Sequence, residues 1–173
     1  MTDVVNAVAP EHSSALEKLL EHLFVGDLLR SLWTMGVRDM EVLRAEVDRG
    51  GYDVVLEAKG VLRYLQLKAS HAAAKATEVN INTNLARKPG GCVVWMRYEP
   101  ATLALGPFLW FGGKPHEPLP SLGDKVARHA KANSQGVKAE RPNIRRLARN
   151  SFDILPTMDA VVHALFGIGN HAA

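Results

Sequence analysis

Residues 51–68, Gly51-Tyr52-Asp53-Val54-Val55-Leu56-Glu57-Ala58-Lys59-Gly60-Val61-Leu62-Arg63-Tyr64-Leu65-Gln66-Leu67-Lys68, constrain the fold of this 173-residue chain more than any other stretch. Two apolar runs flank Lys59-Gly60, a pair that suits a two-residue hairpin turn. With that turn Ala58 faces Val61, and counting outward places Asp53 opposite Gln66. Side chains alternate along a strand, so Lys68 shares the face of Gln66. A carboxylate, an amide and an ammonium therefore converge at one end of an apolar hairpin, and an acid beside a lysine suits a divalent cation and a phosphate. A literal acid-X-Lys, Glu57-Ala58-Lys59, ends at the turn, far from Asp53, so the pairing favours Gln66 and Lys68.

The rest of the chain reads as alternating helix and strand. Glu11 to Thr34 is expected to be helical, with Ser13 or Ser14 as cap and Gly36 as stop. Its apolar stripe Leu16, Leu20, Leu23, Phe24 changes sides near Gly26, which implies a bend or burial on two faces. Asp39 to Val47 is a first strand, followed by the turn Asp48-Arg49-Gly50-Gly51, and the hairpin supplies two more. His71 to Lys88 reads as a polar loop with a short helix, ended by Pro89-Gly90-Gly91. Cys92 to Tyr98 is a fully apolar fourth strand and Pro107 to Phe111 a fifth. Leu122 to Asn133 is expected to be helical, and Pro156-Thr157-Met158-Asp159 opens a last helix that ends near Gly167, with Thr157 as cap. The expectation is an α/β fold, a central mixed sheet of about five strands flanked by helices. One domain is expected, with a core over 11–112 and a helical extension over 121–167, since no repeat or linker interrupts the chain.

Asp53 on one strand and Gln66-Leu67-Lys68 on the next, after an N-terminal helix, resemble the core of the PD-(D/E)XK nucleases, in which an Asp and an acid-X-Lys motif occupy adjacent antiparallel strands. The resemblance covers Glu11 to about Tyr98. The chain departs from the pattern at two places: Gly51-Tyr52 stands where a Pro precedes the Asp, and Gln66 replaces the acid, as in some active members. The resemblance implies a restriction-endonuclease-like fold and hydrolysis of phosphodiester bonds in nucleic acid, with DNA the expected substrate. It implies Mg²⁺ or Mn²⁺ held by Asp53, the Gln66 amide oxygen, the Leu67 carbonyl and an acid from the first helix, with Lys68 orienting water and stabilising the phosphorane. Glu17 and Glu21 compete for the helix role. Glu21 falls on the apolar face beside Val25, Leu28 and Leu32, where a carboxylate is either directed to a polar site or costs stability. The bland alternative is an exposed acid pairing with Lys18 or Arg30. A homodimer is compatible with this reading.

Charge points the same way. Residues 1–57 carry eleven acids and five Lys/Arg, and the remainder seven acids and sixteen Lys/Arg. The late excess, including Arg141, Arg145, Arg146 and Arg149, suits a phosphate backbone, although charge runs also serve as solvated faces. Tyr52 and Tyr64 read as core aromatics and His71 as a loop histidine within reach of a phosphate.

Other chemistries lack their motifs. The seven histidines form no HxxxH or HxH pair, which disfavours a zinc hydrolase. No GxSxG, Walker or GxGxxG sequence occurs. The lone Cys92, within an apolar run, is expected to be a buried thiol. Met1 to Pro10 lacks a signal-peptide pattern and no 18-residue apolar run exists, so no membrane association and a cytoplasmic location are expected. Two functions remain: a metal-dependent endonuclease, and a non-catalytic nucleic-acid or protein interaction module of the same fold.

Overall fold

The computed structural model describes residues 12–44, 49–132 and 134–169. Helix α1 (Ser13–Thr34) precedes β1 (Met40–Arg44), β2 (Val54–Ala58), β3 (Val61–His71), β4 (Glu78–Asn82), β5 (Gly91–Tyr98), β6 (Leu105–Gly112), β7 (Val126–Arg128), β8 (Glu140–Ala148) and β9 (Asp153–Leu155), and α2 (Met158–Phe166) follows. Six strands form one mixed sheet in the order β1-β2-β3-β5-β6-β9, and β4-β8-β7 form a second, smaller sheet. Only β3 and β5 pair in parallel in the large sheet; its other neighbours are antiparallel.

The hairpin forms where the residues place it. Ala58 lies opposite Val61 and Val54 opposite Leu65. Lys59 and Gly60 turn at φ of 52° and 73°, the two left-handed residues that a type I′ turn requires.

Alternation along β5 then separates two cores. Cys92, Val94 and Met96 pack with Leu20, Phe24, Leu28 and Leu32 of α1 and Val162 and Leu165 of α2. Val93 and Trp95 face the other way, against Ile81 and Leu147 of the small sheet and Phe152. Coverage on both faces explains why β5 is apolar from Gly91 to Met96; the buried Arg97 that follows donates to Ser70 Oγ and to the Ala72 and Ala74 carbonyls. The helices therefore share one face, and the small sheet covers the other. Cys92 is buried, as expected, and burial pushes its thiol up to about 12.

Arg63 is fully buried on the helix face of β3. Its Nε donates to the Leu165 carbonyl at 2.6 Å, and Nη2 donates to Ala164 at 3.2 Å and Gly113 at 3.1 Å. A cation against the last carbonyls of α2 complements the negative end of that helix, while burial lowers the guanidinium's pKa from its ordinary value.

The structure corrects several expectations. The stripe of α1 does not change sides: Leu20, Phe24, Leu28 and Leu32 recur every four residues on one face. Its N-cap is His12, without a side-chain cap bond, rather than Ser13 or Ser14. Residues 122–133 are not helical. Gly123 is left-handed at φ 69°, and Val126–Arg128 pairs with β8 instead. The basic run consequently lies on β8 and its flanks rather than on a helix, and among the described residues of 121–167 the only helix is α2, apart from a short 3₁₀ turn at Arg149–Ser151. The expected loop after His71 contains β4, which owes its existence to β8, some sixty residues away in sequence; the expected short helix is a 3₁₀ segment, Thr83–Arg87. β9 adds a sixth strand at the edge of the large sheet. Thr157 caps α2 as expected, accepting from the Ala160 N–H at 3.2 Å. The expected extension of the first strand to Val47 falls outside the described residues.

Gly60 has open space where a Cβ would stand, so replacement there tests backbone conformation alone. Gly60→Val should lower stability by about 1–2 kcal/mol, and Gly60→Asn by less because Asn tolerates the left-handed region. Chemical denaturation midpoints measure both, and equal midpoints for wild type and the Val variant would contradict the turn.

Candidate functional site

β3 has eleven residues and β2 five. The antiparallel ladder ends at Val54 opposite Leu65, so the last six residues of β3, 66–71, run on without a β2 partner. Asp53 occupies that end. It sits at a bend just before β2, where its N–H donates to the Leu65 carbonyl at 2.7 Å and its Oδ2 accepts from the Leu67 N–H at 2.6 Å. The carboxylate thus continues the ladder where the strand stops. Within a strand the N–H and C=O of one residue point to the same side. The Leu67 carbonyl therefore points to the same open edge as its N–H, beside Asp53.

Gly51 makes this bend. It is left-handed at φ 71°, and an added Cβ would lie 2.7 Å from the Asn82 Cβ. Only glycine permits that approach of the bend to the end of β4. Tyr52 and Tyr64 pack edge to face at 5.0 Å over the second core, with the Lys88 ammonium 5.4 and 5.3 Å from their rings. They are aromatic packing residues, as expected.

The other expected residues divide. Glu21 is buried despite its charge, at 2% exposure. Its carboxylate accepts from Lys18 Nζ at 2.9–3.0 Å and from Arg44 Nη1 at 3.2 Å. The pairing with Lys18 is realised, while Arg30 pairs with Asp27 instead. The hydrogen bond to Glu21, reinforced by the charges of Glu21, Asp53 and Glu17, holds the Lys18 ammonium above its ordinary pKa. Lys18 thus lies within the field of all three acids. Gln66 is also buried, and its Oε1 accepts from the Asn82 N–H of β4 at 3.3 Å. It ties the two sheets together, and its oxygen is directed at β4.

Lys68, Leu67, Glu17 and Glu21 line one cavity of about 520 Å³ between the first turns of α1 and the carboxyl ends of the parallel strands β3 and β5. Its remaining wall is Ser13, Leu16, Leu20, Ala69, His71, Met96 and Tyr98. The oxygen donors at this end of the sheet include the Asp53, Glu17 and Glu21 carboxylates, the Gln66 amide and the Leu67 carbonyl. Among the described residues no group of three His, Cys, Asp or Glu side chains gathers to hold a metal ion.

The four arginines lie apart from the cavity lining. Arg141 and Arg149 are exposed, Arg146 pairs with Glu78, and Arg145 Nη1 donates to the Pro142 carbonyl at 2.7 Å. Arg44, Tyr98 and Met96 are site residues that sequence reasoning missed. The only local signal was the apolar alternation that sends Met96 and Tyr98 to the face of β5 opposite Trp95.

No protein-family model and no curated protein sequence matches the chain. Among solved structures it is similar to a bacterial homing endonuclease, I-Ssp6803I, with a TM-score of 0.30 and 20% identity over 70% of this chain and 85% of that one. A likeness at that level carries no functional argument. Among the described residues no helix is long and apolar enough to cross a membrane.

Removing both cations that hold Glu21 leaves a charge buried without compensation. The double variant Lys18→Ala/Arg44→Ala should lose about 1–3 kcal/mol of stability. Adding Glu21→Gln should restore part of that loss, because the buried charge goes with it. Urea denaturation of the three proteins measures the difference.

Proposed function

We propose that this protein is a metal-dependent nuclease of the PD-(D/E)XK type, hydrolysing phosphodiester bonds of nucleic acid, with DNA the expected substrate. The observation that carries the reading is Asp53 held against Leu67 at the open edge of β3, beside the cavity that Lys68 shares with Glu21. The four groups named, the Asp53 and Glu21 carboxylates, the Gln66 amide and the Leu67 carbonyl, are oxygen donors, which suits a hard ion such as Mg²⁺ or Mn²⁺. Asp53 and the Leu67 carbonyl would hold it, with Glu21 and the Gln66 amide as further donors once their present partners yield. A bound divalent ion supplies Lewis acidity toward the phosphate and lowers the pKa of water.

The chain's own groups then have separable tasks. Asp53 offers an anionic oxygen at a position fixed by the Leu67 N–H. Lys68 donates hydrogen bonds that orient the attacking water and offset the negative charge growing on the phosphorane. The water oxygen forms a bond to phosphorus as a bridging P–O bond breaks, and the leaving oxygen takes up a proton. Arg141, Arg145, Arg146 and Arg149 attract the phosphate backbone through counterion release.

A non-catalytic nucleic-acid or protein interaction module is the second reading. The observations that favour it are the engagement of Gln66 with β4 and of Glu21 with two cations.

Cleavage of plasmid and single-stranded DNA, and of RNA, should require Mg²⁺ or Mn²⁺. It should fall at least a hundredfold in Asp53→Ala and Lys68→Ala while both stay folded by circular dichroism. Gln66→Glu should lower the metal concentration needed for half-maximal activity, because it adds a negative ligand. No cleavage by wild type, with none created by Gln66→Glu, would leave the interaction module as the correct reading. Arg141→Ala should weaken DNA binding and reduce the slope of log affinity against log salt by about one.

A further inference from the structure

We propose that the cavity beside Lys68 receives an unstacked nucleobase, so that the preferred substrate is single-stranded or locally unpaired nucleic acid. The inference rests on the nucleic-acid reading above and adds the strand state that the site selects. A phosphate at the open edge of β3 lies beside this cavity, because Leu67, whose N–H holds the Asp53 carboxylate, forms part of its wall. The volume, about 520 Å³, falls in the range of small-molecule sites. The wall is largely apolar, with Leu16, Leu20, Leu67 and Met96 supplying contact and Tyr98 an aromatic surface. Every base has a π-face, so such a wall is tolerant of sequence.

His71 is the second observation. It ends β3 in the cavity wall, with its ring edge-to-face against Tyr98 at 6.5 Å. Its Nδ1 is buried and without a hydrogen-bond partner among the described residues. An orphaned buried ring nitrogen is costly unless a bound group completes it. The polar edge of a base supplies such a group, donor or acceptor according to the imidazole tautomer. Glu17, also in the wall, carries a carboxylate able to accept from the exocyclic amino groups of bases. A base stacked and paired within a duplex presents neither its face nor its Watson–Crick edge, so entry requires an unpaired strand or an extruded nucleotide.

The test measures binding by fluorescence anisotropy with wild-type protein in EDTA, so that metal-dependent cleavage does not intervene. The probes are a labelled single-stranded oligonucleotide, the same backbone with abasic sites, and the fully paired duplex. The intact single strand should bind about tenfold more tightly than the abasic strand. His71→Ala and Tyr98→Leu, each verified as folded by thermal denaturation, should remove most of that difference and leave duplex binding unchanged. Equal affinity for intact and abasic strands, or an advantage that survives both substitutions, would overturn the inference. An intact base preference without cleavage when Mg²⁺ is restored would count against the nuclease chemistry and leave the base pocket standing.

Discussion

The candidate site exists because β3 outruns β2. A strand that loses its neighbour exposes a row of N–H and C=O groups, which must find other partners or face solvent. Here the first of those groups, the Leu67 N–H, is taken by the Asp53 carboxylate. One hydrogen bond therefore closes the ladder, fixes an acid at the sheet edge and leaves the neighbouring carbonyl directed to the same place. Gly51 permits the bend, and β5 supports β3 from the other side through the full length of the exposed segment.

The acids around this edge are met by cations: Lys18 lies in the field of Glu21, Asp53 and Glu17, and Arg44 pairs with Glu21. The buried Glu21 is tolerated because two cations reach it from α1 and β1, one of them mostly exposed. Gln66 occupies the place where a third carboxylate would add a further negative charge, and its amide joins β3 to the small sheet. A neutral group suits that task, since a buried anion there would need more than the Asn82 N–H to satisfy it. The same substitution that makes the motif atypical thus has a structural reason in the packing of two sheets.

Much of this was legible locally. The Lys59-Gly60 turn, the register of β2 and β3, the burial of β5 and the cap of α2 follow from neighbouring residues whose preferences agree with one another. The position of Glu21 among Val25, Leu28 and Leu32 marked it as an acid on an apolar face but left its burial open against an exposed pairing. The packing of β1 on α1 decided it. The small sheet was not legible. β4 has only Val79 and Ile81 as apolar residues, and β7 is three residues long. Both become strands by pairing with β8, at separations no local pattern reports. The same holds for Arg44, whose role depends on where β1 lies against α1.

The sequence by itself determined the hairpin, the side-chain parity that sets Gln66 and Lys68 on one face, and the concentration of basic residues late in the chain. Those are properties of adjacent residues and of a two-residue period. Tertiary structure alone decided that the Asp53 carboxylate turns into the strand edge, that Gln66 is spent on the second sheet, and that Lys68 and Glu21 border a common cavity with His71 and Tyr98. Each of these depends on elements brought together from distant parts of the chain, and side-chain contacts of that kind are set by packing rather than by periodicity.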